Sequence, residues 1–199
     1  MDSLPVSDPD GQPAPPHRAM SRRGTLFLVV GPSGAGKDTL LRHARPALEE
    51  TGNFVFAQRA ITRPVADARE DHEPVTADAF AERAGRGEFM LTWKVYGTEY
   101  GIPARYSDLL AAGRHIVASV SRTVVARAID NFAPARVIQI TAPREVLRKR
   151  LQGRPDPASA AARLARAVVL PDGVPVTHLL NVGDPEAAAA RLVKILNSD

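Results

Sequence analysis

The residues best placed to do chemistry in this 199-residue chain are bunched between positions 31 and 39. Gly31-Pro32-Ser33-Gly34-Ala35-Gly36-Lys37 has the spacing GxxxxGK. Glycines at those places let successive backbone N–H groups turn inward around phosphate oxygens. A helix starting at the end of the run adds its partial positive charge, and Lys37 reaches the β- and γ-phosphates of a nucleoside triphosphate. The next position normally carries a Ser or Thr whose hydroxyl meets magnesium; here it is Asp38, followed by Thr39. A carboxylate is a hard oxygen ligand that can hold magnesium directly or through water, and an aspartate in a first helical turn is also favoured by the dipole alone. Both readings of Asp38 stay open. ATP and Mg2+ are the expected cofactors, with Gly31 to Thr39 as the nucleotide-binding segment.

Such a loop works only if a strand delivers it and a helix leaves it. Leu26, Phe27, Leu28, Val29 and Val30 form the continuous apolar run of a strand buried on both faces. After the loop, Leu40, Leu41, Ala44, Ala47 and Leu48 return at helical spacing until Gly52. Further strands are expected at Phe54 to Ala60, His115 to Val120, Arg136 to Thr141 and Thr177 to Asn181. Helical stretches are expected from Arg122, Pro143, Ala158 and Asp184. Alternating β and α predicts a parallel, doubly wound sheet with helices on both faces. Between Ile61 and Gly101 the pattern weakens, leaving a short helix near Asp78 to Ala84 and a strand-like stretch from Phe89 to Val95. Residues 1–23, with five prolines among polar neighbours, read as a flexible tail, and residues 24–199 as one folding unit.

Composition narrows the function classes. No cysteine is present, which excludes a disulfide framework and any thiolate metal site. No apolar run approaches the roughly 20 residues of a membrane span, and the first residues lack a signal-peptide stretch, so a soluble, cytoplasmic protein is expected. Of 26 basic residues only Lys37, Lys94, Lys149 and Lys194 are lysine. The arginine bias suits a small acidic substrate held by two-pronged phosphate contacts, although it also follows from an arginine-rich composition at large. No nucleic-acid motif accompanies the positive charge, and no nucleic-acid partner is expected.

Taken together, the loop, Ile61-Thr62-Arg63-Pro64, Tyr100-Gly101 and the basic segment Leu147 to Arg154 resemble the guanylate kinase family over roughly residues 24–197. The closer resemblance is to the ribose 1,5-bisphosphate phosphokinases of phosphonate catabolism. It rests on Gly36-Lys37-Asp38, Ala60-Ile61-Thr62-Arg63, Glu70-Asp71-His72, Thr92-Trp93, Tyr100-Gly101 and Ser121-Arg122. This resemblance implies a P-loop NTPase three-layer fold with an acceptor insert at about 61–101 and a lid at about 152–163. It also implies conversion of ribose 1,5-bisphosphate and ATP to 5-phosphoribosyl 1-diphosphate. Guanylate kinases read guanine with a glutamate just before a tryptophan, where this chain has Thr92 before Trp93. They also carry acids on the central strand, where Ile116 to Val120 has none.

Candidate substrate ligands follow. Arg59 and Arg63 flank a strand end where guanidinium groups can grip the nonreacting phosphate, and Arg63 matches an acceptor-phosphate arginine of the family. His72 stands where guanylate kinases place a phosphate-binding tyrosine, and Tyr100 lies in a matched motif. Arg154 and Arg163 match lid positions that would bring charge onto the transferring group alongside Lys37, with Arg150 and Arg166 as further lid candidates. Trp93 reads as core. Two rivals remain: a guanylate or other nucleoside monophosphate kinase, and a catalytically inactive guanylate-kinase-like module that binds protein partners.

Overall fold

A computed structural model describes residues 23–63, 71–152 and 170–198. Five strands form one parallel sheet in the order β2-β7-β1-β8-β9. They are β1 (Leu26–Val30), β2 (Phe54–Phe56), β7 (His115–Ser119), β8 (Ala135–Thr141) and β9 (Val176–Leu180). The central strand β1 is buried at all five positions, as its unbroken apolar run requires. Its alternate side chains feed two separate cores. Phe27 and Val29 pack with Leu40, Ala44 and Leu48 of α1 (Lys37–Glu49) and with Ala188, Leu192 and Leu196 of the C-terminal helix (Pro185–Asn197). Leu26, Leu28 and Val30 pack on the opposite face with Tyr106, Leu110, Val125 and Ala128. Helices therefore cover both faces, and the expected three-layer α/β architecture is present.

The segment expected as one strand from Phe54 to Ala60 is two. β2 ends at Phe56, and β3 (Arg59–Ile61) belongs to a second sheet ordered β4-β3-β6-β5. The break has a local cause. The Ala57 N–H still donates to Val117 O of β7 (2.9 Å), whereas the next N–H, that of Gln58, is taken by the Tyr106 hydroxyl (2.9 Å), so the ladder on β7 stops. The second sheet comprises β4 (His72–Pro74), β3, β5 (Phe89–Val95) and β6 (Thr98–Pro103), with α2 (Ala77–Gly85) beside it. Sequence reading found β5 and α2 but not β4 or β6. β6 is one of the two inner strands of that sheet, pairing antiparallel with both β3 and β5. Gly101 is required there: a Cβ at that position would lie 2.6 Å from the Phe89 ring.

Among the described residues the remaining helices are α3 (Arg105–Ala111), α4 (Val125–Asn131), α5 (Arg144–Leu151) and α6 (Pro185–Asn197), with a 3-10 turn at Arg122–Val124. Asp184 caps α6 by accepting from the Glu186 and Ala187 N–H groups, and Pro185 fills the first turn where no donor is needed. The expected helix from Ala158, most of the expected lid and the tail through residue 22 lie outside the described residues. Among the described residues no helix is long and apolar enough to cross a membrane.

Candidate active site

The glycine-rich loop runs from the buried end of β1 into α1 with the left-handed turns that its glycines permit. Gly34 has φ 83° and Gly36 φ 86°. Space is as restrictive as angle: a Cβ on Gly31 would sit 2.0 Å from Ile140 O, and one on Gly36 would sit 2.4 Å from Asn181 Nδ2. Asn181, buried just past β9, donates from Nδ2 to Ala35 O (2.7 Å). Arg150 on α5 donates toward Gly34 O, Ala35 O and Asn181 O, each at 3.4 Å. Two elements distant in sequence thus brace the outer carbonyls of the loop. Lys37 Nζ donates to Gly31 O (3.0 Å) and Pro32 O (3.3 Å), across the loop's own start.

Asp38 lies in the first turn of α1, and its Oδ1 accepts from Arg59 NH2 at 2.8 Å. Arg59 itself is 9 % exposed, and its NH1 donates to Ser119 Oγ (3.1 Å) and Ser119 O (3.3 Å) at the end of β7. A single guanidinium from the second sheet therefore joins the helix of the phosphate loop to the end of a strand in the main sheet. Burial pushes the Asp38 carboxyl upward, but the Arg59 guanidinium and the Lys37 ammonium outweigh that and hold it below the usual carboxylate range. Asp38 is ionised at neutral pH. Thr39 follows it, half-buried on the same turn.

A cleft of about 220 Å³ opens beside Gly31, Pro32, Ser33 and Lys37. Its other walls come from Arg63, from Trp93, Val95, Tyr96, Thr98 and Tyr100 of the β5–β6 hairpin, and from Val120, Ser121 and Arg122 after β7. Among the described residues that line it, three are cationic and none is a carboxylate, which favours an anion with more than one charged group. Tyr100 and Trp93 face each other across the β5–β6 register, and their rings stack nearly parallel, 5.4 Å between centroids and 3° between planes.

Of the residues singled out from sequence, Lys37, Arg63 and Tyr100 meet at this cleft with the loop residues Gly31 to Ser33. Arg59 and His72 lie deeper. His72 is 6 % exposed on β4, paired in register with Arg59, and its Nε2 is 3.3 Å from Arg63 O. That places the imidazole behind the arginine, against its backbone. Arg154 and Arg163, with Arg166, lie outside the described residues. Sequence reading did not place Trp93, Tyr96 or Arg122 at the site. For Arg122 the available signal was its position directly after a buried strand ending beside the phosphate loop. Placing Trp93 there requires the register of a hairpin whose second strand has no clear pattern in sequence.

The fold and the loop define a P-loop protein of guanylate-kinase architecture. A crystal structure of guanylate kinase from Anaplasma phagocytophilum superposes with a TM-score of 0.65 at 20% identity, over 88% of this chain and 86% of that one. No protein-family model matches the chain. It is 44% identical to the ribose 1,5-bisphosphate phosphokinase PhnN of Methylobacterium radiotolerans over 88% of this chain and 98% of that protein. The chain belongs to the ribose 1,5-bisphosphate phosphokinase family. It is also 43% identical, over 87% of its length, to the bifunctional ribose 1,5-bisphosphokinase-thymidine phosphorylase of Azorhizobium caulinodans. The chain spans only 25% to 30% of the length of such bifunctional relatives.

Proposed function

We propose that this chain transfers the γ-phosphoryl group of ATP to the anomeric phosphate of ribose 1,5-bisphosphate, giving 5-phosphoribosyl 1-diphosphate and ADP. The observation that supports the reading is the cleft of a chain in this family: Lys37 of the phosphate loop, Arg63 and Arg122 line it together, with no carboxylate among its described lining residues. A nucleoside acceptor needs a polar partner for its base, and leaving such a base unpaired costs about 1–3 kcal/mol. A sugar with a phosphate at each end needs cations instead.

In this reading the loop amides and Lys37 hold the nucleotide phosphates, while Arg63, Arg122 and Tyr100 hold the acceptor. The acceptor phosphate is already ionised at neutral pH, so its oxygen attacks the γ-phosphorus without a general base. The bond from that phosphorus to the β-bridging oxygen breaks, and ADP leaves with the electron pair. Positioning is the main contribution of the protein, because two anchored phosphates fix the line of attack. Residues at about 61–101 serve as the acceptor insert and those at about 152–163 as the lid, from which Arg154 and Arg163 bring charge onto the transferring group.

Among the described residues no cluster of three or more carboxylate or imidazole groups could hold a metal by itself. The ionised Asp38 carboxylate and the Thr39 hydroxyl fit the way magnesium binds in such sites, through one or two protein oxygens together with substrate phosphates. Asp38 would hold the metal, and Mg2+ bound there would neutralise phosphate charge. ATP-dependent chemistry of this kind belongs in the cytoplasm. Phosphorus NMR of purified protein with ATP, magnesium and ribose 1,5-bisphosphate tests the assignment: a new diphosphate signal coupled to the sugar is expected, and ATP hydrolysis alone would refute it.

A further inference from the structure

β5 and β6 are joined by two residues only, with Val95 opposite Thr98 in the register. Both linking residues have positive φ, Tyr96 at 48° and Gly97 at 82°. That is the signature of a type I′ hairpin turn, whose first position is normally Asn, Asp or Gly because a larger side chain crowds the backbone there. Among the described residues Tyr96 is the sole non-glycine with positive φ. It is 41 % exposed and belongs to neither hydrophobic core, yet it forms part of the cleft wall facing the phosphate loop. A strained, half-exposed aromatic at a site wall is where function outweighs local stability.

We infer that Tyr96 is an acceptor-specificity residue, packing its phenol against the uncharged sugar between the two phosphates of the acceptor. The inference rests on the proposed activity. Arg63 and Arg122 supply charge for the ends of a sugar bisphosphate, but the ribose between them offers only C–H faces and hydroxyls. A phenol ring meets both, with its face on the C–H groups and its hydroxyl on the sugar oxygens. A nucleotide seated on Gly31 to Lys37 is held by the phosphate loop and not by the hairpin turn, so loss of the ring should weaken the acceptor and spare ATP.

Trp93 is the sole tryptophan of the chain and lines the same cleft, so its fluorescence reports acceptor binding directly. Three measurements are made on wild type, Tyr96→Asn and Tyr96→Phe: melting temperature, ribose 1,5-bisphosphate affinity without ATP, and steady-state KM for each substrate. Tyr96→Asn creates a favoured Asn-Gly turn and should melt about 2 to 4 °C higher. It should bind the sugar bisphosphate about tenfold more weakly, a loss of about 1.4 kcal/mol, with KM for ATP within about twofold of wild type. Tyr96→Phe, which keeps the ring, should lose no more than about threefold. A Tyr96→Asn variant that melts lower, or that keeps wild-type acceptor affinity, would overturn the inference. Binding by wild type without product would refute the proposed activity and leave the inference standing, whereas no binding by wild type would refute both.

Discussion

Replacing Arg59 by leucine removes a guanidinium that is bonded at once to Asp38 on α1 and to Ser119 on β7, at 2.8 Å, 3.1 Å and 3.3 Å. Breaking a buried ion pair from one side costs about 3–5 kcal/mol because the remaining charge is stranded. Here the Arg59 side chain is 11 % exposed but Asp38 is 40 % exposed, so water recovers part of the carboxylate's solvation. Ser119, 5 % exposed, has no such recourse. The net loss should be about 2–3 kcal/mol, which for a domain of this size lowers Tm by about 5 to 10 °C. Arg59→Lys should recover less than half of this, since one ammonium cannot span both partners. Calorimetry or circular dichroism on Arg59→Leu, Asp38→Asn and the double variant gives the coupling directly, expected at about 1–2 kcal/mol. A coupling near zero, or an Arg59→Leu variant that melts with wild type, would refute the idea that this residue ties the two sheets together at the phosphate loop.

Three further outcomes follow. Lys37→Ala should fold normally by circular dichroism yet lose at least about a hundredfold in phosphoryl transfer, as expected when one preorganised charge contact disappears. Asp38→Asn should raise the magnesium concentration needed for half-maximal rate, as read from a magnesium titration at fixed ATP; an unmoved midpoint with an unmoved maximal rate would make Asp38 a helix-end residue only. His115, packed between Phe27 and Phe54, has its protonation shifted below the ordinary value near 6.5 by burial, and its Nδ1 accepts from the Thr25 N–H at 3.0 Å. Below pH 6.5 the unfolded chain therefore binds a proton that the folded chain resists. The contribution is complete above about 6.5 and is lost as pH falls through the lower folded value. Melting between pH 8 and 5.5 should show this slope, and His115→Gln should flatten it.

The phosphate loop was legible because its chemistry is contiguous: strand, glycines, lysine and helix lie within two dozen residues, each recognisable from local pattern. The parallel sheet was legible for the same reason, since a strand buried on both faces writes itself as an unbroken apolar run. What failed to show were pairings between distant segments. Trp93 read as core because nothing near it in sequence offers a stacking partner; Tyr100 becomes that partner only through the register of β5 with β6. Arg59 read as an acceptor-site cation, and its bond to Asp38, 21 residues earlier, depends on β3 leaving the main sheet at Ala57 and Gln58. Asn181 carries no signal in sequence, because bracing a loop carbonyl demands no motif, and Arg150, which reads there as a lid candidate, instead donates from α5 to the phosphate-loop carbonyls. His72 stands out in sequence only by its type, and the fold sets its ring against the Arg63 backbone carbonyl.

Under the proposed function this site accepts a sugar with two phosphates in preference to a nucleoside monophosphate. A competition assay tests it most directly: ribose 1,5-bisphosphate and GMP at equal concentration, limiting ATP with magnesium, and both products quantified by phosphorus NMR. 5-Phosphoribosyl 1-diphosphate should exceed GDP by at least about tenfold, a difference in transition-state stabilisation of about 1.4 kcal/mol. GDP as the dominant product would contradict it.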